Sequence, residues 1–123
     1  MAITLQIIDG EFSICQVPDI TQVYFTQEFL FLSKTDDEIS LVCETAHTPP
    51  NTIACEIGWK ALKIAGVLDF GMVGIVAKIS NILAAAGISI FVVSTYNTDY
   101  ILLKSETFNK GIEALTQNGY TIK

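Results

Sequence analysis

The run "GISIFVVSTYNTDYILLK", residues 87–104, decides how the chain folds. An apolar segment ends at Ser94 and Thr95, a short polar turn follows, and Asp99 opens a second apolar segment. Two β-branched, aromatic-bearing runs around a polar turn predict a hairpin, with strands over residues 88–95 and 98–104. Just upstream the period changes. Ile75, Val76, Ile79, Ile82, Leu83 and Ala86 recur at three- and four-residue spacing, which makes one apolar helix face. The helix begins near Val73, and Gly87 stands where a helix C-terminal stop belongs.

Further out the same logic closes a unit. "WKALKIAGVL", residues 59–68, alternates as a strand, and "DFGMVG", residues 69–74, breaks it with Gly71 and Gly74. Ser105 is placed to cap a second helix, in which Phe108, Ile112 and Leu115 share a face. Asn118-Gly119 ends that helix, and "YTIK" closes the chain as a strand. The order β-α-β-β-α-β predicts an α+β, ferredoxin-like unit, an antiparallel sheet with both helices on one face.

The first half reads as a worn copy. At an offset of 61, Gly10 falls on Gly71, Ser33 on Ser94, Glu38 on Asp99 and Gly58-Trp59 on Gly119-Tyr120. Its first helix is missing: "EFSICQVPDITQVYF" holds Pro18 and β-branched residues, which suit a strand and at most a short helical turn. Pro49-Pro50 leaves room for about two turns of a second helix. The expected organisation is two units in tandem, residues 1–58 and 59–123, joined without a linker because one strand runs from the first into the second.

Composition narrows the function. Half of the 123 residues are hydrophobic and 16% are charged, enough to bury a core. Net charge is -6 with seven scattered basic residues, the wrong balance for a nucleic-acid face. Neither a signal peptide nor a membrane span is expected, and the cytoplasm is the expected compartment. Cys15, Cys43 and Cys55 read as buried reduced thiols, and with a single His47 they lack the spacing of a zinc site; no metal or cofactor is expected. His47 sits in a Thr-Pro-Pro loop away from any nucleophile motif, "DFGMVG" lacks the Lys and Ser/Thr of a phosphate loop, and Asp36-Asp37 reads as a solvated turn, so no enzyme is expected.

The glycine-bearing loop, the helix exit "GISI" and the hairpin "FVVSTYNTDYILL" together resemble the ACT domain, a small regulatory module that binds amino acids. The resemblance is nearest to the ACT units of aspartate kinase regulatory regions and of CASTOR-type arginine sensors. It implies a non-catalytic protein that holds a small ligand, an amino acid, at an interface between such units. Carried over by position, Val73, Gly74 and Ile75 supply backbone amides at a helix N-terminus, Ser89, Ile90 and Phe91 line a strand edge, and Thr95, Tyr96 and Asp99 meet the ligand's charged end. Two departures stand out: Phe91 occupies a place where lysine-sensing relatives carry an acid, and Gly10 is not followed by a helix.

The residues themselves leave alternatives. Helix N-terminal amides suit a carboxylate, yet glycine at position 74 also serves a turn that needs its φ angle. Asp99 suits an ammonium group, yet Asp beside a turn commonly bonds its own backbone; Asp69 is a second acidic candidate. In "ISIFVV", Ile88, Ile90 and Val92 point one way and Phe91 and Val93 the other, so both faces of the sheet are apolar and a homo-oligomer is expected. The competing function is a ligand-free dimerisation module acting through that second face.

Overall fold

A computed structural model describes residues 3–65 and 74–123. Among the described residues, seven strands and two α-helices follow in the order β1 (Thr4–Val17), β2 (Leu30–Lys34), β3 (Ile39–Glu44), β4 (Ala54–Ile64), α1 (Ile75–Ala85), β5 (Ile90–Ser94), β6 (Asp99–Lys104), α2 (Phe108–Gln117) and β7 (Thr121–Ile122). The chain divides into a helical unit, Met1–Asp9 with Lys60–Lys123, and a second unit, Gly10–Trp59, that has no α-helix. β4 is one unbroken strand across Trp59 and Lys60, and β1 likewise contributes residues on both sides of Gly10.

In the helical unit, α1 and α2 cover one face of the sheet. Ile79 and Leu83 of α1, Phe108 and Leu115 of α2, and Leu62, Ile64, Ile101 and Leu103 of the strands form its core, with Ile90 and Val92 packed against it. Burying one such leucine contributes about 1.5–3 kcal/mol, so the periodicity of α1 is what fixes which way the helix faces. Its end is set by backbone chemistry: Gly87 N donates to Ala84 O at 2.9 Å and Ile88 N to Leu83 O at 2.9 Å, with Gly87 at φ 75. That is a Schellman stop, and it turns Ile88 back into the core.

The sheet of this unit departs from the expected four-stranded order. β5 and β6 pair antiparallel, from Ile90 opposite Leu103 to Ser94 opposite Asp99. A ferredoxin-like fold sets its last strand beside its first, yet β7 pairs with β1 rather than β4, in parallel, with Thr4 opposite Thr121. The order is β7-β1-β4-β6-β5, so the N-terminal strand is wedged in between. It satisfies donors on both sides: Ala65 N bonds Thr4 O at 2.9 Å and Lys123 N bonds Leu5 O at 2.9 Å.

The second unit keeps the strand order of the fold, β2-β3-β1-β4, without its helices. A 3-10 turn at Thr45–His47 replaces the second helix, shorter than the two turns expected. Loop residues cover β1 and β3 instead. Gln27 is buried, donating to Tyr24 O at 2.7 Å and accepting from Glu44 N at 2.8 Å, while Glu44 Oε2 accepts from Phe29 N at 2.8 Å. Buried Ser13 anchors the 3-10 turn, with Thr45 Oγ1 at 3.0 Å and Thr48 Oγ1 at 3.1 Å from its hydroxyl.

The elements of the two hairpins recur at an offset of 60, not 61. Leu30–Lys34 returns as Ile90–Ser94, Ile39–Glu44 as Asp99–Lys104, and Thr45–His47 as Ser105–Thr107. β3 and β6 also share one burial pattern, with their third to fifth residues buried. The hairpin equivalent of Asp99 is therefore Ile39, and Glu38 corresponds to Thr98. Asp36 and Asp37 lie exposed in the first turn, as expected.

Candidate functional site

The turn at the tip of the β5–β6 hairpin is built by two threonines. Thr95 N and Thr95 Oγ1 both donate to Thr98 O, at 2.9 and 2.8 Å. Thr98 N bonds back to Thr95 Oγ1 at 3.4 Å. The hydroxyl of Thr95 thus serves its own turn, as that of Thr35 does in the first hairpin, where it accepts from Asp37 N and Glu38 N at 3.2 Å each. Thr98, which the sequence reading passed over, is the buried member. Its hydroxyl donates to Ile64 O at 2.7 Å and ties the hairpin tip to the end of β4. The threonine pair three residues apart marks the turn, but nothing near Thr98 in sequence announces its bond to Ile64 O.

Asp99 stands opposite Ser94, half-buried, at the first pair of the hairpin ladder. Tyr96 is 87% exposed at the turn's apex, so its ring is presented to solvent. Ser89 is exposed just before β5. Ile90 faces the helix-covered core, whereas Phe91, opposite Leu102, lies half-buried on the other face. The expected two-faced character of the strand is present: Ile88, Ile90 and Val92 go with the core, and Phe91 and Val93 do not.

α1 begins at Ile75, half-buried against the core, with Gly74 as the residue before it. Gly74 has φ 83, in the left-handed region that an L side chain resists, and an added Cβ would meet nothing within 4 Å. Glycine is therefore required here by backbone angle, not by space. Gly74 offers no capping side chain, and Lys78 N returns to Gly74 O at 2.9 Å. Val73, Gly71 and Asp69 lie outside the described residues.

Thr98 thus ties the hairpin tip to the end of β4, the strand that precedes α1 in the chain. On the other side of β4 an open cavity of about 630 Å³ is lined by Thr4, Gln6, Ile7, Ala65 and Lys123. Its volume falls in the range of small-molecule sites. It depends on β1 joining this unit, which the pattern of residues 1–9 alone does not announce.

In the second unit, Cys15 and Cys43 are buried but Cys55 is exposed, which corrects the expectation of three buried thiols. Cys15 Sγ donates to Cys55 Sγ at 3.3 Å. Burial foremost, then the hydrogen bond to Cys55, pushes the Cys15 thiol far up; burial also raises Cys43. The ring of His47 packs on that of Tyr24 at 4.4 Å. Among the described residues no cluster of His, Cys, Asp or Glu is arranged to hold a metal ion. No described helix is long and apolar enough to cross a membrane.

Two helices on one face of a mostly antiparallel sheet and a glycine-led helix start define a small α+β module. Residues 54–117 match the ACT domain family, and the chain belongs to it. Over 58 residues it is 41% identical to the human cytosolic arginine sensor for mTORC1 subunit 1, and equally to the bovine protein. That match covers 46% of this chain but 18% of the sensor, so the chain matches less than a fifth of these relatives' length. A crystal structure of an Agobacterium tumefaciens protein superposes with a TM-score of 0.89 at 29% identity, covering 100% of this chain and 93% of that one. Synechocystis aspartate kinase shares the fold, with a TM-score of 0.69 at 16% identity over 99% of this chain and 28% of the kinase.

Proposed function

We propose that this protein is a non-catalytic regulatory ACT protein of the cytoplasm that binds an amino acid where the helical units of two copies meet. One observation carries the reading: α1 starts at a glycine with φ 83, a residue with no side chain to occupy the helix N-terminus, in a chain of the ACT family. Such a start leaves N–H groups and the positive end of the helix dipole for an α-carboxylate. Backbone groups of the Ser89–Phe91 segment contribute the strand edge. Tyr96 and Asp99 are the side chains for the ligand's cationic end, since the hydroxyl of Thr95 is engaged in its turn. Phe91 and Val93, half-buried on the face away from the helices, supply the apolar contact between copies.

The ligand acts by differential affinity for two assembly or partner-bound states, which is all that an allosteric effector needs. The test is a thermal-shift panel of the twenty amino acids, with arginine first because the sensor it resembles carries that name. A ligand at 100 times its Kd should add about 2.7 kcal/mol of stability. Asp99→Ala should abolish the shift. If no amino acid at millimolar concentration stabilises the protein, the reading fails. If Phe91→Lys also dissociates an oligomer seen by light scattering, the face is a ligand-free dimerisation surface.

A further inference from the structure

We propose that Cys15 and Cys55 form a reversible thiol–disulfide pair, with Cys55 the thiol that meets the oxidant and Cys15 the thiol that closes the bond. Three observations within the Gly10–Trp59 unit support it. The two sulfurs are 3.3 Å apart, already in contact. β1 and β4 are sheet neighbours, and Ile53 N donates to Gln16 O at 2.7 Å beside the pair, so the backbone holds the two residues together. One sulfur is reachable and the other is not: Cys55 is exposed, while Cys15 is 3% exposed and packs with Val17, Leu41 and Cys43. An exposed thiol alone would only collect adducts, and a buried pair would not meet a reagent. This pair has one of each.

The third thiol also packs beside Cys15, but no oxidant reaches it. Cys43 is buried, with its sulfur 3.9 Å from Ser13 O and 4.0 Å from Thr48 Oγ1, both possible acceptors for its S–H. It has no exposed side, which makes it a spectator.

The chemistry is disulfide exchange with a small-molecule disulfide such as oxidised glutathione. The Cys55 thiolate attacks one glutathione sulfur, the glutathione S–S bond breaks, and one glutathione leaves as thiolate. Cys15 then gives up its proton and attacks Cys55 Sγ, expelling the second glutathione thiolate. Two protein thiols are oxidised by two electrons, and one glutathione disulfide is reduced to two glutathiones. Because burial keeps the Cys15 thiol protonated, the closing step should quicken about tenfold per pH unit through the neutral range.

The bond would join strands whose cysteines are 40 residues apart, restricting the unfolded chain. The oxidised protein should therefore unfold at higher urea than the reduced one.

The experiment incubates the folded protein with oxidised glutathione, blocks remaining thiols and measures intact mass and thiol number. The three thiols of the chain should fall to one, with no glutathione retained. Digestion after Glu44 separates Cys43 from Cys55 and should find the link between the Cys15 and Cys55 peptides. Cys43→Ser should still form it. Cys15→Ser should instead hold one glutathione on Cys55, at least ten times longer than the wild type does. Should Cys15→Ser fail to fold, the wild-type peptide map and Cys55→Ser, which must keep its other two thiols, decide the matter. Three unreacted thiols, a glutathione adduct that persists in the wild type, or a link through Cys43 would each overturn the proposal.

Discussion

Replacing Gly111 by alanine tests how closely α2 is seated on the sheet. In an exposed helix this change would stabilise by about 1 kcal/mol, because glycine is the poorer helix former. Gly111, however, is buried in α2, and its missing side chain is where the helix meets its neighbours. A Cβ there would overlap Leu103 Cδ2 of β6 and would sit 3.4 Å from Leu83 Cδ2 of α1 and 3.6 Å from Ile88 Cδ1. Leu103 and Leu83 are both 0% exposed, so neither can swing into solvent to make room. Forcing a methyl into a filled core costs about 1–3 kcal/mol. Set against the helix gain, the expected outcome is a net loss of about 1 kcal/mol, with a range from zero to about 2.

Urea unfolding followed by circular dichroism reads this as a lower midpoint with an unchanged slope. Asn109→Ala, on the exposed side of α2, supplies the baseline and should not destabilise. Leu103→Ala alone should cost about 2–5 kcal/mol, but in that background Gly111→Ala should become favourable, since the new methyl fills part of the cavity. A Gly111→Ala protein more stable than the wild type, or an effect identical in both backgrounds, would refute the claim that α2 approaches β6 through this glycine.

Thr98→Val keeps the shape but removes the donor to Ile64 O, and should cost about 1–3 kcal/mol by urea unfolding while isolating a carbonyl. Gly74→Ala should lose about 1–2 kcal/mol to its left-handed backbone despite open space for the methyl; a neutral result would contradict the φ of 83. Asp19 titrates below the ordinary carboxylate value of 3.8, chiefly because Thr21 Oγ1 donates to it at 2.6 Å, with Thr21 N adding a second bond at 3.0 Å. A lowered folded pKa means its contribution is present above about pH 4 and is lost as pH falls through the lower folded value. Carboxyl NMR titration should find that low value, and Thr21→Val should raise it towards 3.8.

The helical unit was largely readable because its signals are local. The three- and four-residue spacing of Ile75 to Ala86 and the run from Ile90 to Lys104 needed no distant partner to be interpreted. The offset of 61 went astray because glycines and single acids were used as anchors. A hairpin's register is set by its turn, and the turn bonds are Thr35–Glu38 and Thr95–Thr98. The wedge of β1 between β7 and β4 was not legible either. Which edge a strand joins depends on pairing across the whole chain, not on its own residues. Gly74 and Asp99 could be put forward as candidates from residue type and place alone. Thr98 could not be recognised as the buried tie, since its acceptor at Ile64 is 34 residues away.

The pairing of Thr4 with Thr121 has a consequence for how the protein is made. β1 begins at residue 4, yet its parallel partner consists of residues 121 and 122. During synthesis the first strand must therefore wait, with one edge unpaired, until nearly all of the chain has been translated. Contacts of such long sequence separation are slow to form and leave strand edges open to the wrong partner. A fragment cut to the family-matching span, residues 54–117, would lack both β1 and β7. The span that matches the family is thus shorter than the set of strands that pair with it.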